Sequence, residues 1–134
     1  MAMNWDEFLT RVVDDGIASV KSDEHIAKYP KRLAGSIQGF ESCRGKTYDQ
    51  LAQLLVEANR KGHNVRCDQE GDKSGAYDIE DYWEARYVAI QIEWVCNTVS
   101  AAVAQQGQPP LVMTTARGVM NAARILGVTG SAPN

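Results

Sequence analysis

Apolar residues in the first part of the chain recur at intervals of three and four. Between Asn4 and Lys21 they fall at Trp5, Phe8, Leu9, Val12, Val13, Ile17 and Val20, which is one face of a helix. Asn4 is placed to cap that helix, and Asp6 and Glu7 suit the positive end of its dipole. Gly16 weakens it slightly. Residues 22–29 read as a polar connection, and Pro30 suits the first turn of a second helix, residues 30–43, with Leu33, Ile37 and Phe40 as its stripe. Gly35 and Gly39 sit four apart within it. Glycine costs about 1 kcal/mol per position inside a helix, so the pair predicts that another helix backbone crosses close by.

Gly45 ends that element. Thr47 and Gln50 then form the signature of a capping box, directly before the apolar run Leu51, Leu54, Leu55 and Ala58. Gly62 has the position of a C′ stop, with Arg60 and Lys61 at the negative end, so this third helix is expected over 47–61. Residues 63–77, polar and glycine-containing, read as a loop. Asp78 is a candidate N-cap for a long helix from Ile79 to Gln106, about 40 Å at 1.5 Å per residue. That helix is apolar on two sides. One stripe is Trp83, Tyr87, Ile90, Trp94 and Ala101; the other is Val88, Ile92, Val95, Val99 and Val103. Gly107, Pro109 and Pro110 stop it. Thr114 or Thr115 caps a last helix, 115–126, held by Val119, Ala122, Ala123 and Leu126, and residues 128–134 form a loose tail. No segment alternates like a strand. The expected architecture is all-α: a single domain over 1–134, built as a bundle of about five helices around the long one.

Composition agrees with a globular chain. Of 134 residues, 44% are hydrophobic and 23% charged, which excludes a disordered polymer. No apolar run is long enough to span a bilayer, and the opening MAMNWDEF is acidic where a secretory signal would be basic. A cytoplasmic location is expected. Three cysteines (Cys43, Cys67 and Cys96) are an odd, widely spaced set, as in a reducing compartment. With His25 and His63 they contain no close ligand pair of the kind structural zinc uses, so neither metal nor cofactor is expected.

The net charge of −3 is strongly segregated. Residues 28–66 carry eight basic side chains against three acidic ones. Residues 67–85 carry seven acids against Lys73 alone: Asp68, Glu70, Asp72, Asp78, Glu80, Asp81 and Glu84. Read as calcium chemistry the block fails, because a loop counted from Asp68 has Lys73 where glycine is needed and Ile79 where glutamate is needed. Read as a surface, it could imitate phosphate charge toward the basic groove of a nucleic-acid-binding complex. The plainer alternative is that blocks of opposite sign neutralise one another in the fold.

Residues 114–130, TTARGVMNAARILGVTG, resemble the front half of a helix-turn-helix, yet only seven residues follow Gly127 and no recognition helix can be built from them. The chain also lacks excess positive charge, so direct DNA binding is not expected. Phosphate loops, nucleophile elbows and HExxH are absent, which argues against an enzyme. Arg86, Glu93, Asn97 and Ser100 share a polar stripe between the two apolar faces of the long helix. Together with Thr115 and Arg117 of the last helix it could wall a site for a nucleotide or metabolite. Trp83, Tyr87 and Trp94 offer more apolar surface than one short neighbour covers, and a homodimer through them is expected.

The stretch EWVCNTVSAAV followed by TTARGVMNAARILGV is similar to small uncharacterised proteins of phages and other mobile elements. The likeness spans about the C-terminal third of the chain. It implies, by analogy, an inhibitor of a host defence system, anti-CRISPR proteins included, acting on a protein partner; it assigns a role to no residue.

Overall fold

The predicted stripes meet in one core, apart from the row Trp83, Tyr87, Ile90 and Trp94 of the long helix. The computed structural model describes residues 5–72, 74, 75 and 78–104. These form five helices in chain order: α1 (Trp5–Ser22), α2 (Glu24–Ala27), α3 (Pro30–Ser42), α4 (Tyr48–Gly71) and α5 (Ile79–Ala104), with no strand among the described residues. The fold is an all-α helical bundle. The cap expected at Asn4, Arg117, the helix expected over 115–126 and the tail at 128–134 lie outside the described residues.

α5 is the central element. It packs against α3, α4 and α1, and α1 in turn packs against α3 and α2. From α1 the core takes Trp5, Leu9, Val12, Val13 and Val20; from α4 Leu51, Ala52 and Leu55; from α5 Ala89, Ile92, Val95, Cys96 and Val99. Two aromatic side chains tie three helices together. Trp5 stacks on Tyr48 with ring centroids 5.7 Å apart, its Nε1 donates to the Lys46 carbonyl at 2.9 Å, and the Tyr48 hydroxyl lies 2.9 Å from Ser100 Oγ. Ser100, expected on a polar wall, is therefore a buried structural partner of Tyr48.

The glycine pair does what its spacing predicts. A Cβ placed at Gly39 would stand 2.7 Å from the Val88 carbonyl oxygen, and one at Gly35 would collide with the Glu84 carbonyl, so the α3 and α5 backbones pass in direct contact. Beside this crossing Gln91 Nε2 donates to Ser36 Oγ across 3.4 Å. Gly16 serves the same end on α1, because the Phe40 ring occupies the space a side chain would need.

Two local expectations differ from the structure. Residues 22–29 are not simply a connection: Asp23 accepts from the backbone of His25 and Ile26 and caps the single turn α2. The larger correction concerns Gly62. The capping box of Thr47 and Gln50 opens α4 as expected, but the helix does not stop at 61 and the loop expected over 63–77 shortens accordingly. Glycine lowers helix stability by about 1 kcal/mol without deleting a hydrogen bond, so it stops a helix only where nothing downstream rewards continuing. Here Arg66 Nε bonds Glu70 one turn on at 2.8 Å, Gln69 Nε2 reaches the Asp78 carbonyl at 2.8 Å, and the Arg66 guanidinium lies 5.4 Å from the Tyr82 ring centre.

Cys43 and Cys96 are fully buried and Cys67 is exposed; all three are free thiols. Burial pushes both buried thiols up to about 12, and the proximity of Cys43 adds to the effect on Cys96.

Gly39→Ala is expected to lower the thermal midpoint sharply, while Gly62→Ala, whose added Cβ meets nothing within 4 Å, should raise stability by about 0.5–1 kcal/mol. Equal effects at the two sites in a denaturation series would contradict the close crossing. Alkaline pH should also destabilise the fold. Unfolded thiols ionise near pH 8.5 whereas the two buried ones keep their protons, so stability is complete below that pH. It should fall by up to about 1.4 kcal/mol per pH unit per thiol as pH rises toward about 12. Urea midpoints across that range measure this, and in native protein only Cys67 should react with a thiol reagent.

Candidate functional site

The acidic block is largely paired within the chain. The N-terminal turn of α3 brings Lys31 and Arg32 against the start of α5. Arg32 grips Glu80 with both arms of its guanidinium, at 2.8 and 3.0 Å, and the pair is mostly shielded from solvent. Lys31 pairs with Asp81 and lies 3.7 Å from Asp78, and the hydrogen bond to Asp81 holds its ammonium above the ordinary lysine range. Glu70 is taken by Arg66. Asp78 also caps α5, accepting from Glu80 N at 3.0 Å, and Asp72 accepts from the backbone and hydroxyl of Ser74. Asp68 is exposed and Glu84 half-buried. Much of the block is thus the complement of the basic segment before it, and it stabilises the positive end of α5 as well.

A groove of about 290 Å³ runs between α4 and α5. Asn59, Gly62, His63 and Arg66 line it from α4, and Tyr82, Arg86 and Ala89 from α5, each set at the three- and four-residue steps that keep side chains on one helix face. Arg86 Nη1 donates to Asn59 Oδ1 at 3.3 Å. Among the described residues no carboxylate pairs with Arg86, and none lines the groove. The polar stripe Arg86, Glu93, Asn97 is divided: Arg86 faces the groove, whereas Glu93 is half-buried and Asn97 exposed further along α5, outside the lining. Asn59, His63, Arg66 and Tyr82 were not expected at a site. Ending the third helix at Gly62 separated His63 and Arg66 from Asn59, and only a continuous α4 puts them on one face.

On the side of α5 away from the core lies the apolar row Trp83, Tyr87, Ile90 and Trp94. Trp94 is 45% exposed; the other three are half-buried. Trp83 packs edge-on to Tyr82, 5.4 Å between ring centres, and tilted against Tyr87 at 6.2 Å, with the Arg32 guanidinium 4.9 Å from its centre. Trp94 meets the edge of Phe40 at 5.7 Å. The opposite stripe (Ile92, Val95 and Val99) is buried. The long helix is therefore greasy on two sides because one side is core and the other is surface.

If the acids are structural partners, Glu80→Gln should lower the thermal midpoint and Asp68→Asn should leave it unchanged. Matching melting curves for the two variants would show that the Arg32–Glu80 contact contributes nothing to the fold.

Set against models of protein families, curated proteins and solved structures, the chain matches none of them. The functional reading rests on the geometry of these surfaces.

Proposed function

We propose that this chain is a non-catalytic interaction module that takes a protein helix onto the apolar row of α5, with a second copy of the chain as the first occupant. Trp94 carries the reading. A tryptophan left 45% exposed in line with Trp83, Tyr87 and Ile90 exposes apolar area whose burial is worth about 25 cal/mol per Å². The row spans twelve residues of a single helix, eleven steps or about 16 Å at 1.5 Å per residue. A twofold axis across it would set its two ends against each other, so one patch covers the other completely.

The likeness of residues 93–103 and 114–128 to proteins of phages and mobile elements supports placing this module against a host defence assembly. That part of the proposal draws on sequence alone. An acidic mimic of nucleic acid, the other form of the same idea, draws less support, because Glu70, Asp78, Glu80 and Asp81 already have cationic partners within the chain. The rival class, a small-ligand binder, draws on the groove at Arg86.

Light scattering of the full chain at tens of micromolar should return the mass of two chains. Trp94→Glu should give a folded protein with the mass of one, because the residue is 45% exposed and its ring contact with the fold is the Phe40 edge, worth about 0.5–1.5 kcal/mol beyond the area it buries. A one-chain mass for the unmodified protein, or a folded two-chain Trp94→Glu, overturns the proposed surface.

A further inference from the structure

We propose that the groove between α4 and α5 is a binding site for a small phosphate monoester. The inference goes beyond the docking row and does not depend on it. Three observations converge on it.

The first is the charge of the lining. Arg66 and Arg86 both face the groove and no carboxylate does. Arg66 engages Glu70 through Nε, and Arg86 engages the neutral Asn59 through Nη1. Each guanidinium carries five N–H donors and no acceptor, so donor capacity at both remains for an oxyanion. Asn59, Tyr82 and His63, whose Nε2 lies 3.5 Å from Cys67 Sγ, line the same walls and carry further donor groups. A doubly charged phosphate offers acceptors on three oxygens, and it answers a wall of donors from two helices better than one flat carboxylate does.

The second is Gly62. The helical glycines at 16, 35 and 39 are required by a ring or a backbone pressed against them, whereas a Cβ at Gly62, as at Gly71 on the last turn of α4, would meet nothing within 4 Å. Gly62 lies inside α4 and lines the groove, with no packing reason for its missing side chain. What its absence leaves open is the groove itself.

The third is size and support. At about 290 Å³ the groove stands at the small end of ligand sites, suited to one phosphate and a compact substituent rather than to a dinucleotide. Its walls are two packed helices, with Ala58 and Ala89 among the lining, so the donors are carried on regular elements. Tyr82 supplies an aromatic wall next to the cations, against which a planar substituent can lie.

Titration of the full chain with inorganic phosphate and with adenosine 5′-monophosphate, at low ionic strength, tests the site. Saturable one-to-one binding with a dissociation constant of about 1 mM or tighter is expected for the monoester. Amide resonances of Asn59, Gly62, His63 and Arg86 should shift together. Gly62→Leu fills the groove from a position where an added Cβ meets nothing within 4 Å; it should abolish binding in a protein that keeps its helical fold. Arg86→Gln should weaken binding about tenfold or more, and it decides the matter should the leucine variant not fold. Absence of saturation by either probe up to about 20 mM overturns the proposal, as does binding that Arg86→Gln or a folded Gly62→Leu retains, or resonance shifts confined to residues outside the groove.

Discussion

The close passage of α3 over α5 is the constraint on which the rest of this structure depends. Two glycines one turn apart give up helix stability so that the Gly39 and Gly35 backbones can rest on the carbonyls of Val88 and Glu84. Helices separated by ordinary side chains sit 8–10 Å apart, and a glycine face removes that spacer. Once the backbones touch, the register of α3 on α5 has no freedom left. A one-residue slide would drive Ser36 or Phe40 into the carbonyls that the glycines accommodate. The same contact delivers Lys31 and Arg32, at the start of α3, to the acids at the start of α5.

That register decides which sides of α5 remain available. α3 covers one side and α4 the adjoining one, and with α1 they bury Ala85, Ala89, Ile92, Val95, Cys96 and Val99. The apolar row from Trp83 to Trp94 is what the neighbours cover only in part. Its aromatic members are not idle on the surface: Arg32 lies over Trp83 and Phe40 abuts Trp94, so the row is anchored from beneath by α3. An apolar face fixed in this way presents a preorganised surface, and less ordering entropy is lost when something docks on it.

Most of this architecture was legible in the chain. The helical periodicities of α1, α3 and α5, the Thr47–Gln50 box and the meaning of Gly35 and Gly39 all follow from local rules, and the structure agrees with each. What local rules could not supply was the competition between them. Gly62 followed two basic residues and looked like a terminus, but contacts from Arg66 and Gln69 to residues beyond position 77 outweigh its cost. The acids at 67–85 looked like one surface because sequence adjacency hides partners 48 to 50 residues away. In both cases the deciding energy came from tertiary contacts, which no window along the chain contains. The candidate groove is hidden for the same reason: His63 and Arg66, two of its five donor residues, lie on a stretch of α4 that local rules read as loop.

The two surfaces of α5 are joined by one side chain pair. Tyr82 lines the α4–α5 groove, and its ring packs edge-on against Trp83, the first member of the apolar row. Arg86 and Tyr87, adjacent in sequence, divide in the same way, one toward the groove and the other along the row. A bound anion that fixes Tyr82 would therefore fix the end of the docking row, and a helix docked on Trp83 would hold Tyr82 against the groove. Linkage requires such an effect to be equal in both directions, measured as a binding free energy. Its size is bounded by the contact that carries it, a single edge-to-face aromatic pair of about 0.5–1.5 kcal/mol. That is at most about a tenfold mutual change in affinity, enough to bias two sites that share a helix and too little for either to control the other.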